Sequence, residues 1–316
     1  MTTATEAGRR AQCASAVLVV RPAAFGANPE TASTNAFQAA GTAGADLREQ
    51  ARAESDALAA ALDAAGVEVL VLEDTPEPAR PDACFPNNWL SLHHDGTAVL
   101  YPMLAPSRRR ERRDEALALV RQRGFVVRRV VDLTYFEGQG AFLEGTGSLV
   151  LDHRARVAYA CRSPRTHAAP LLAFGRELGY ATQAFDATGP AGEAVYHTNV
   201  VMSVGEGFAV ACLEAVADDS RRHRLRGSLE AAGREVLEVS RAEMNAFAGN
   251  LLQLATRKGG RVIALSATAL AALGADLRRR LERHGGLVAA PVPVIERYGG
   301  GSVRCMLAEV FLPREP

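Results

Sequence analysis

The sequence predicts an α/β ring of five ββαβ-type repeats around a central channel. Two observations carry that expectation. First, five short Gly/Asn-rich turns run straight into apolar strands: Pro86-Asn87-Asn88-Trp89, Glu144-Gly145-Thr146-Gly147-Ser148, His197-Thr198-Asn199, Gly249-Asn250 and Gly299-Gly300-Gly301-Ser302-Val303-Arg304-Cys305. They recur at roughly 55 residues, and a fixed period of this size marks one supersecondary unit per repeat. Second, the first four turns are followed alike by a strand, a second turn, another strand and a helix-like stretch. The second turns are His94-Asp95-Gly96, Asp152-His153-Arg154, Gly205-Glu206-Gly207 and Lys258-Gly259-Gly260. Such a ring gathers the five motif turns at one end of one axis, where a Cys, a His, a Glu and two Asn from distant segments meet.

In chain order, residues 1–13 read as a flexible lead-in, and residues 14–316 as one catalytic domain. Ser15–Arg21 is a β-branched run stopped by Pro22, the pattern of a strand. Residues 35–65 are Ala-rich with helical periodicity, and Gly66 ends them as a C-cap does. Val67–Leu72 is a buried strand. Helices are expected at about 107–123, 167–179, 219–232 and 266–284, each followed by an apolar strand. The last motif is followed only by Met306–Leu312, so one strand of that unit comes from elsewhere, and Ser15–Arg21 is the segment to close the ring. Each unit needs its neighbours to cover its apolar face, which argues against cutting the chain in two.

The bulk properties narrow the function. With 316 residues, 48% of them apolar, the chain can bury a large core. Zero formal net charge gives no bias toward nucleic acid or acidic membranes. Five scattered cysteines, an odd number, fit a reducing compartment and a cytoplasmic protein. No apolar stretch reaches the length of about 18 residues that marks a membrane span. The run Arg108-Arg109-Arg110-Glu111-Arg112-Arg113 opens a helix, carries an acid and lacks interleaved aromatics, so it reads as a solvated face rather than a nucleic-acid site. His93-His94-Asp95 occupies a hairpin turn without a further ligand set, and no phosphate loop or dinucleotide fingerprint appears; neither a metal nor a cofactor is expected. Self-association as a homo-oligomer stays open.

The chemistry concentrates in the motif turns. Cys305 follows three glycines, which let backbone approach a ligand closely, and it opens the final strand. Cys84, Cys161 and Cys212 sit among apolar residues and read as small buried hydrophobes. His197 occupies the matching place in the third unit; near its unperturbed pKa of about 6.5 it could take the thiol proton and return it to a leaving amine. Glu144 follows apolar residues and precedes small ones, and in a pocket could hold substrate N–H groups.

Together these fragments, with Arg21-Pro22-Ala23-Ala24-Phe25, Pro81-Asp82-Ala83-Cys84-Phe85, Ser163-Pro164-Arg165-Thr166 and Tyr196-His197-Thr198-Asn199-Val200, resemble the guanidino-group-modifying (amidinotransferase, or pentein) superfamily. Within it the chain looks like the citrulline-utilisation hydrolases, over residues 15 to 313. The resemblance implies a five-fold pseudosymmetric α/β propeller, in agreement with the period. It makes Cys305 the nucleophile, His197 the general acid/base and Glu144 the carboxylate against the substrate's nitrogen-rich head, and it matches Arg165 to an arginine that arginine deiminases use on the α-carboxylate. Those deiminases carry Asp where this chain has Asn88 and Asn199. A planar guanidinium offers only donors and suits carboxylates, whereas a ureido oxygen needs a donor that an amide can supply. This pair of substitutions therefore points to a small ureido amino acid, L-citrulline, hydrolysed to ornithine, ammonia and carbon dioxide. The alternative is an arginine or N-substituted-arginine deiminase or dihydrolase. A reading of another class, the non-enzymatic ribosome-binding propellers of the superfamily, expects the Cys/His/Glu set to be missing, and all three residues are present.

Overall fold

The computed structural model describes residues 11–39, 44–189 and 191–315. Its strands, in chain order, are β1 (Ala16–Arg21), β2 (Glu68–Glu73), β3 (Leu90–Leu92), β4 (Thr97–Leu100), β5 (Arg129–Asp132), β6 (Val150–Asp152), β7 (Val157–Cys161) and β8 (Ala181–Phe185). They continue as β9 (Met202–Val204), β10 (Phe208–Ala211), β11 (Glu235–Glu238), β12 (Leu252–Ala255), β13 (Arg261–Ser266), β14 (Gly286–Ala290) and β15 (Ala308–Val310). The same three-stranded unit recurs. A middle strand pairs antiparallel with the strand before it and parallel with the strand after it, as β4 does with β3 and β5, β7 with β6 and β8, β10 with β9 and β11, and β13 with β12 and β14. A tight turn suffices for the antiparallel step, but the parallel step needs a crossover. Helices at Asp114–Gln122, Ala168–Leu178, Asp219–Ala231 and Ala275–Glu282 supply it.

The fifth unit is closed by the N-terminal strand, as expected. β1 pairs antiparallel with β15, Val17 opposite Glu309, and parallel with β2, with the helix Ala45–Ala64 as the crossover. β15 also meets β3 at Val310 and Leu92, so the last unit joins the first in one six-stranded sheet. Both faces of β1 are covered. Val17 and Val19 pack with Leu58 and Leu62 of the Ala45–Ala64 helix and Leu254 of β12. Ala16, Leu18 and Val20 pack with Trp89, Leu90, Leu117 and Val120. A strand buried on both sides needs a continuous apolar run rather than alternation, which is why Ala-Val-Leu-Val-Val stands there.

Four expectations need correcting. The helix expected over 35–65 begins at Ala45. Asn35 instead bonds the Phe37 N–H through Oδ1 and the carbonyls of Gly299 and Gly300 through Nδ2, and such local side-chain bonds compete with a helix. The helix over 107–123 splits into Pro106–Arg109 and Asp114–Gln122, and that over 266–284 into Ala267–Ala272 and Ala275–Glu282, where Gly274 takes an extended N-cap conformation. Of the lead-in, residues 1–10 lie outside the described residues. Gln12 and Cys13, placed there by the sequence reading, are buried: Gln12 Nε2 donates to Leu151 O and Val204 O, and Gln12 Oε1 accepts from His153 N.

Deleting residues 1–22 removes β1 and opens both apolar clusters at once. Each buried Val or Leu contributes about 1.5–3 kcal/mol, and two strand edges are left unpaired. The expected product is insoluble or melts without cooperativity, whereas a chain beginning at residue 11 keeps the parent melting temperature. Circular dichroism during heating checks this, and a sharp transition in the shorter chain would show that β1 does not close the ring.

Candidate active site

The motif turns fold as short helical turns: Pro86–Asn88, Gly145–Ser148, Thr198–Val201 and Val303–Met306. Hydrogen bonds stitch one to the next. Thr146 Oγ1 donates to Asn87 O, Thr198 Oγ1 to Ser148 O at 2.6 Å, Asn250 Nδ2 to Asn199 O at 2.9 Å, and the Arg304 N–H to Asn250 Oδ1 at 3.0 Å. The turns approach so closely that side chains would collide. A Cβ on Gly145, which sits at φ +45°, would lie 2.2 Å from Asn87 O, and one on Gly147 would lie 2.6 Å from both Asn88 Nδ2 and His197 Nδ1. The glycines of the repeat are thus a packing requirement of the ring.

This ring brings Cys305, His197, Glu144, Asn88, Asn199 and Arg165 together, all of them buried. His197 Nε2 lies 2.9 Å from Glu144 Oε2. Burial works against the Glu144 charge, but Arg165, the hydrogen bond from His197 and Arg108 outweigh it and hold the carboxyl at about 2. For His197 burial wins over the nearby carboxylate and depresses the imidazole to about 4. At neutral pH Glu144 is therefore ionised and accepts a proton-bearing Nε2, and His197 is neutral, with Nδ1 as its basic nitrogen. The unperturbed value expected from sequence does not survive burial. Cys305 is also pushed up by burial, opposed by the Ser302 backbone and the amides of Asn250 and Asn199.

Arg165 reaches the site from a turn that Ser148 ties down: Ser148 Oγ donates to Arg165 O and accepts from the Glu144 N–H, both at 2.9 Å. Arg165 Nη1 stands 3.6 Å from Glu144 Oε2, and the guanidinium lies over the Tyr196 ring. Its remaining donors go to Thr34 Oγ1 and Thr31 O on the segment covering the pocket. Two further residues, Arg108 and Asp82, line the site and were missed from sequence. Arg108, assigned to a solvated face, is 2% exposed. It binds Glu111 through two bonds of 2.9 Å and Asn88 Oδ1 at 2.8 Å, and lies 3.5 Å from Glu144. Asp82 is buried; its Oδ2 accepts from Asn28 Nδ2 at 2.8 Å, and its Oδ1 has no partner. Burial raises the Asp82 carboxyl, with Arg108, Asn28 and Arg165 opposing.

These groups line a cleft of about 260 Å³, formed by Asp82, Asn88, Arg108, Arg165, His197 and Cys305 with Thr31, Asn35, Tyr196 and the triple glycine. A larger hollow of about 1080 Å³ opens beside it, walled by Phe37, Phe247 and Tyr196, and contains neither the thiol nor the imidazole. The chemistry belongs to the smaller one.

The family model described as "N,N dimethylarginine dimethylhydrolase, eukaryotic" matches residues 21–312. The chain belongs to the N,N-dimethylarginine dimethylhydrolase family. It is thereby a member of the guanidino-modifying pentein superfamily. No curated protein sequence matches it. Among solved structures it is similar to ArgZ, an arginine dihydrolase from the ornithine–ammonia cycle in cyanobacteria, with a TM-score of 0.73 and 17% identity over 95% of this chain and 41% of that one. The substrate-bound N-terminal domain of ArgZ gives 0.72 and 16%, covering 94% of this chain and 99% of the domain. A dimethylarginine dimethylaminohydrolase carrying an S-methyl-L-thiocitrulline adduct gives 0.64 and 16%, covering 93% and 98%. The chain thus spans about two fifths of full-length ArgZ and the whole of its N-terminal domain. These likenesses establish the pentein fold.

In this member of the family the His197–Glu144 pair makes stability depend on pH. An unfolded imidazole takes its proton near about 6.5, while the folded one resists until about 4, so stability is full above the first value and falls as pH drops toward the second. Glu144, held low by its partners, adds a second loss between its ordinary value and about 2. Urea unfolding at pH 7 and pH 5 is expected to show a loss of about 2 kcal/mol from His197 alone. His197→Asn should flatten that part of the profile, and an unchanged slope in the variant would show that another group titrates there.

Proposed function

We propose that this protein is a cysteine-dependent hydrolase of free arginine or a close arginine-like amino acid, acting on its C–N bonds through a covalent Cys305 adduct. The observation that carries the choice of substrate is the state of the two amides. Asn88 Nδ2 donates to Asn87 Oδ1 at 2.9 Å while Asn88 Oδ1 accepts from Arg108, and Asn199 Nδ2 is directed at Cys305 Sγ at 3.5 Å. With Asn88 Oδ1 taken by Arg108 and one N–H of each amide already engaged inside the protein, the amide pair no longer favours a ureido oxygen over a guanidinium group. The arginine alternative takes its place. The names of similar proteins support it, since ArgZ is an arginine dihydrolase and AgrE, at 15% identity, binds L-arginine.

The cleft suits an amino-acid head group. Arg165 can exchange its bonds to Thr31 and Thr34 for a two-pronged pairing with a carboxylate. The unpartnered Asp82 Oδ1 suits an α-ammonium, and leaving such a buried acceptor empty costs about 1–3 kcal/mol that a ligand would recover. At the other end Cys305 attacks the guanidinium carbon to give a tetrahedral adduct. His197 moves a proton to the departing nitrogen, and Glu144 holds the imidazole. Water then cleaves the C–S bond. One cycle releases ammonia and leaves a ureido product, and a second hydrolysis of that product yields ornithine, ammonia and carbon dioxide. All five cysteines are free, and no helix of the described residues is long and apolar enough to cross a membrane. We place this single catalytic domain in the cytoplasm on the free thiols.

A substrate panel tests the reading: arginine, citrulline, agmatine and Nα-acetylarginine, scored by ammonia and ornithine. Arginine is expected to lead, with agmatine and the acetylated compound down by about 100-fold in kcat/KM, because each loses one charged contact worth about 2–3 kcal/mol. Asp82→Asn should raise KM for arginine more than it lowers kcat. Cys305→Ser should abolish turnover without loss of fold. Preference for citrulline or for the acetylated compound, or no turnover of arginine, would overturn the substrate assignment.

A further inference from the structure

Asn250, in the fourth motif turn, has a side chain whose orientation leaves no choice. It is fully buried. Its Oδ1 must face the Arg304 N–H, a donor at 3.0 Å, and its Nδ2 must face Asn199 O, an acceptor at 2.9 Å. An inverted amide would oppose two donors on one side and two acceptors on the other, so the network itself decides the assignment. With one N–H used on Asn199 O, the second is directed at Cys305 Sγ, 3.4 Å away. The Asn199 amide approaches the same sulfur at 3.5 Å. Among the described residues these two amides are the side chains hydrogen-bonded to Cys305, and His197 is not one of them. The other titratable and charged groups around the sulfur are Arg304 in its own turn, and Tyr196, His197, Arg108, Arg165 and Asp82 across the cleft. The close approach has a structural cause, since Gly249 lets the Asn250 turn sit where a Cβ would lie 2.5 Å from Val200 O.

We propose that Asn250 is a catalytic residue whose Nδ2 amide, paired with that of Asn199, eases ionisation of the buried Cys305 thiol by donating to the thiolate as it forms, and keeps the sulfur aimed at the reacting carbon. A thiol is a poor acceptor and a thiolate a strong one, so two converging N–H groups favour the ionised form. The imidazole is neutral and engaged by Glu144, and thus does not supply the charge with which many cysteine enzymes stabilise their thiolate.

The proposal rests on Cys305 being the nucleophile but not on which substrate it attacks, and the test reads the sulfur directly. Thiolate absorbance near 240 nm, taken as the difference from Cys305→Ser across a pH series, gives the ionisation midpoint of this one thiol. Iodoacetamide alkylation of the Cys305 peptide, followed by mass spectrometry, gives its reactivity. Asn250→Ala is expected to raise the midpoint by about one unit or more and slow alkylation at pH 7 by about tenfold. Asn87→Ala, which removes another buried amide of the ring without touching the sulfur, should leave the midpoint where it is. Should Asn250→Ala fail to fold, Asn250→Ser, with a shorter donor, is expected to give a smaller rise in the same direction. An unchanged midpoint in a folded Asn250 variant, or an equal rise in Asn87→Ala, overturns the proposal. If Cys305 of the parent protein is not the first cysteine alkylated, the nucleophile assignment itself falls.

Discussion

A single buried carboxylate organises the end of this molecule where the motif turns converge. Glu144 Oε2 faces His197 at 2.9 Å, Arg108 at 3.5 Å and Arg165 at 3.6 Å, while Oε1 accepts from the Leu104 N–H at 3.2 Å. A lone charge at this depth would neutralise itself by taking a proton. Here two guanidinium groups and a polarised imidazole keep it ionised, and each partner is in turn located by it. Arg108 is held from behind by Glu111, Arg165 by the covering segment, and His197 by its own motif turn. Breaking one partner would leave uncompensated charge among the rest, so the site is bound to form as a unit.

That unit explains what could and could not be read from the chain. Cys305, His197, Glu144 and the asparagines were legible because each occupies the same place in a repeated turn, and a ring of repeats necessarily superimposes equivalent places around its axis. The closure by β1 was legible for a related reason: a final motif without enough chain after it needs a strand from elsewhere. Arg108 and Glu111 escaped because nothing in a run of arginines distinguishes the one that turns inward. The helix breaks after Arg109, and of the run Arg108 is the arginine buried against Glu111 and Asn88. Asp82 lay in a recognised motif, yet its open oxygen becomes apparent only when Asn28, far back in the sequence, is seen to satisfy the other one.

The asparagine argument has fewer open groups to work with than the sequence suggests. Counting donors and acceptors on a side chain predicts what it can bind, but a buried amide is committed before any ligand arrives. Asn88 engages Arg108 through Oδ1 and Asn87 through one N–H, and Asn199 turns one N–H to the Cys305 sulfur. Composition of a pocket therefore says less about its ligand than the groups in it that remain unsatisfied, and in this cleft the group left open is an acid.

The order in which the blades occur along the chain has a bearing on biosynthesis. Glu144 comes from the second unit and His197 from the third, whereas Cys305 arrives with the fifth, whose sheet is completed by a strand far earlier in the sequence. Contacts this distant in sequence are slow to form. A nascent or partly assembled chain would hold charged residues and an imidazole but no positioned thiol. Reactivity would therefore appear only with the last docking step, so that an unfinished copy is chemically silent.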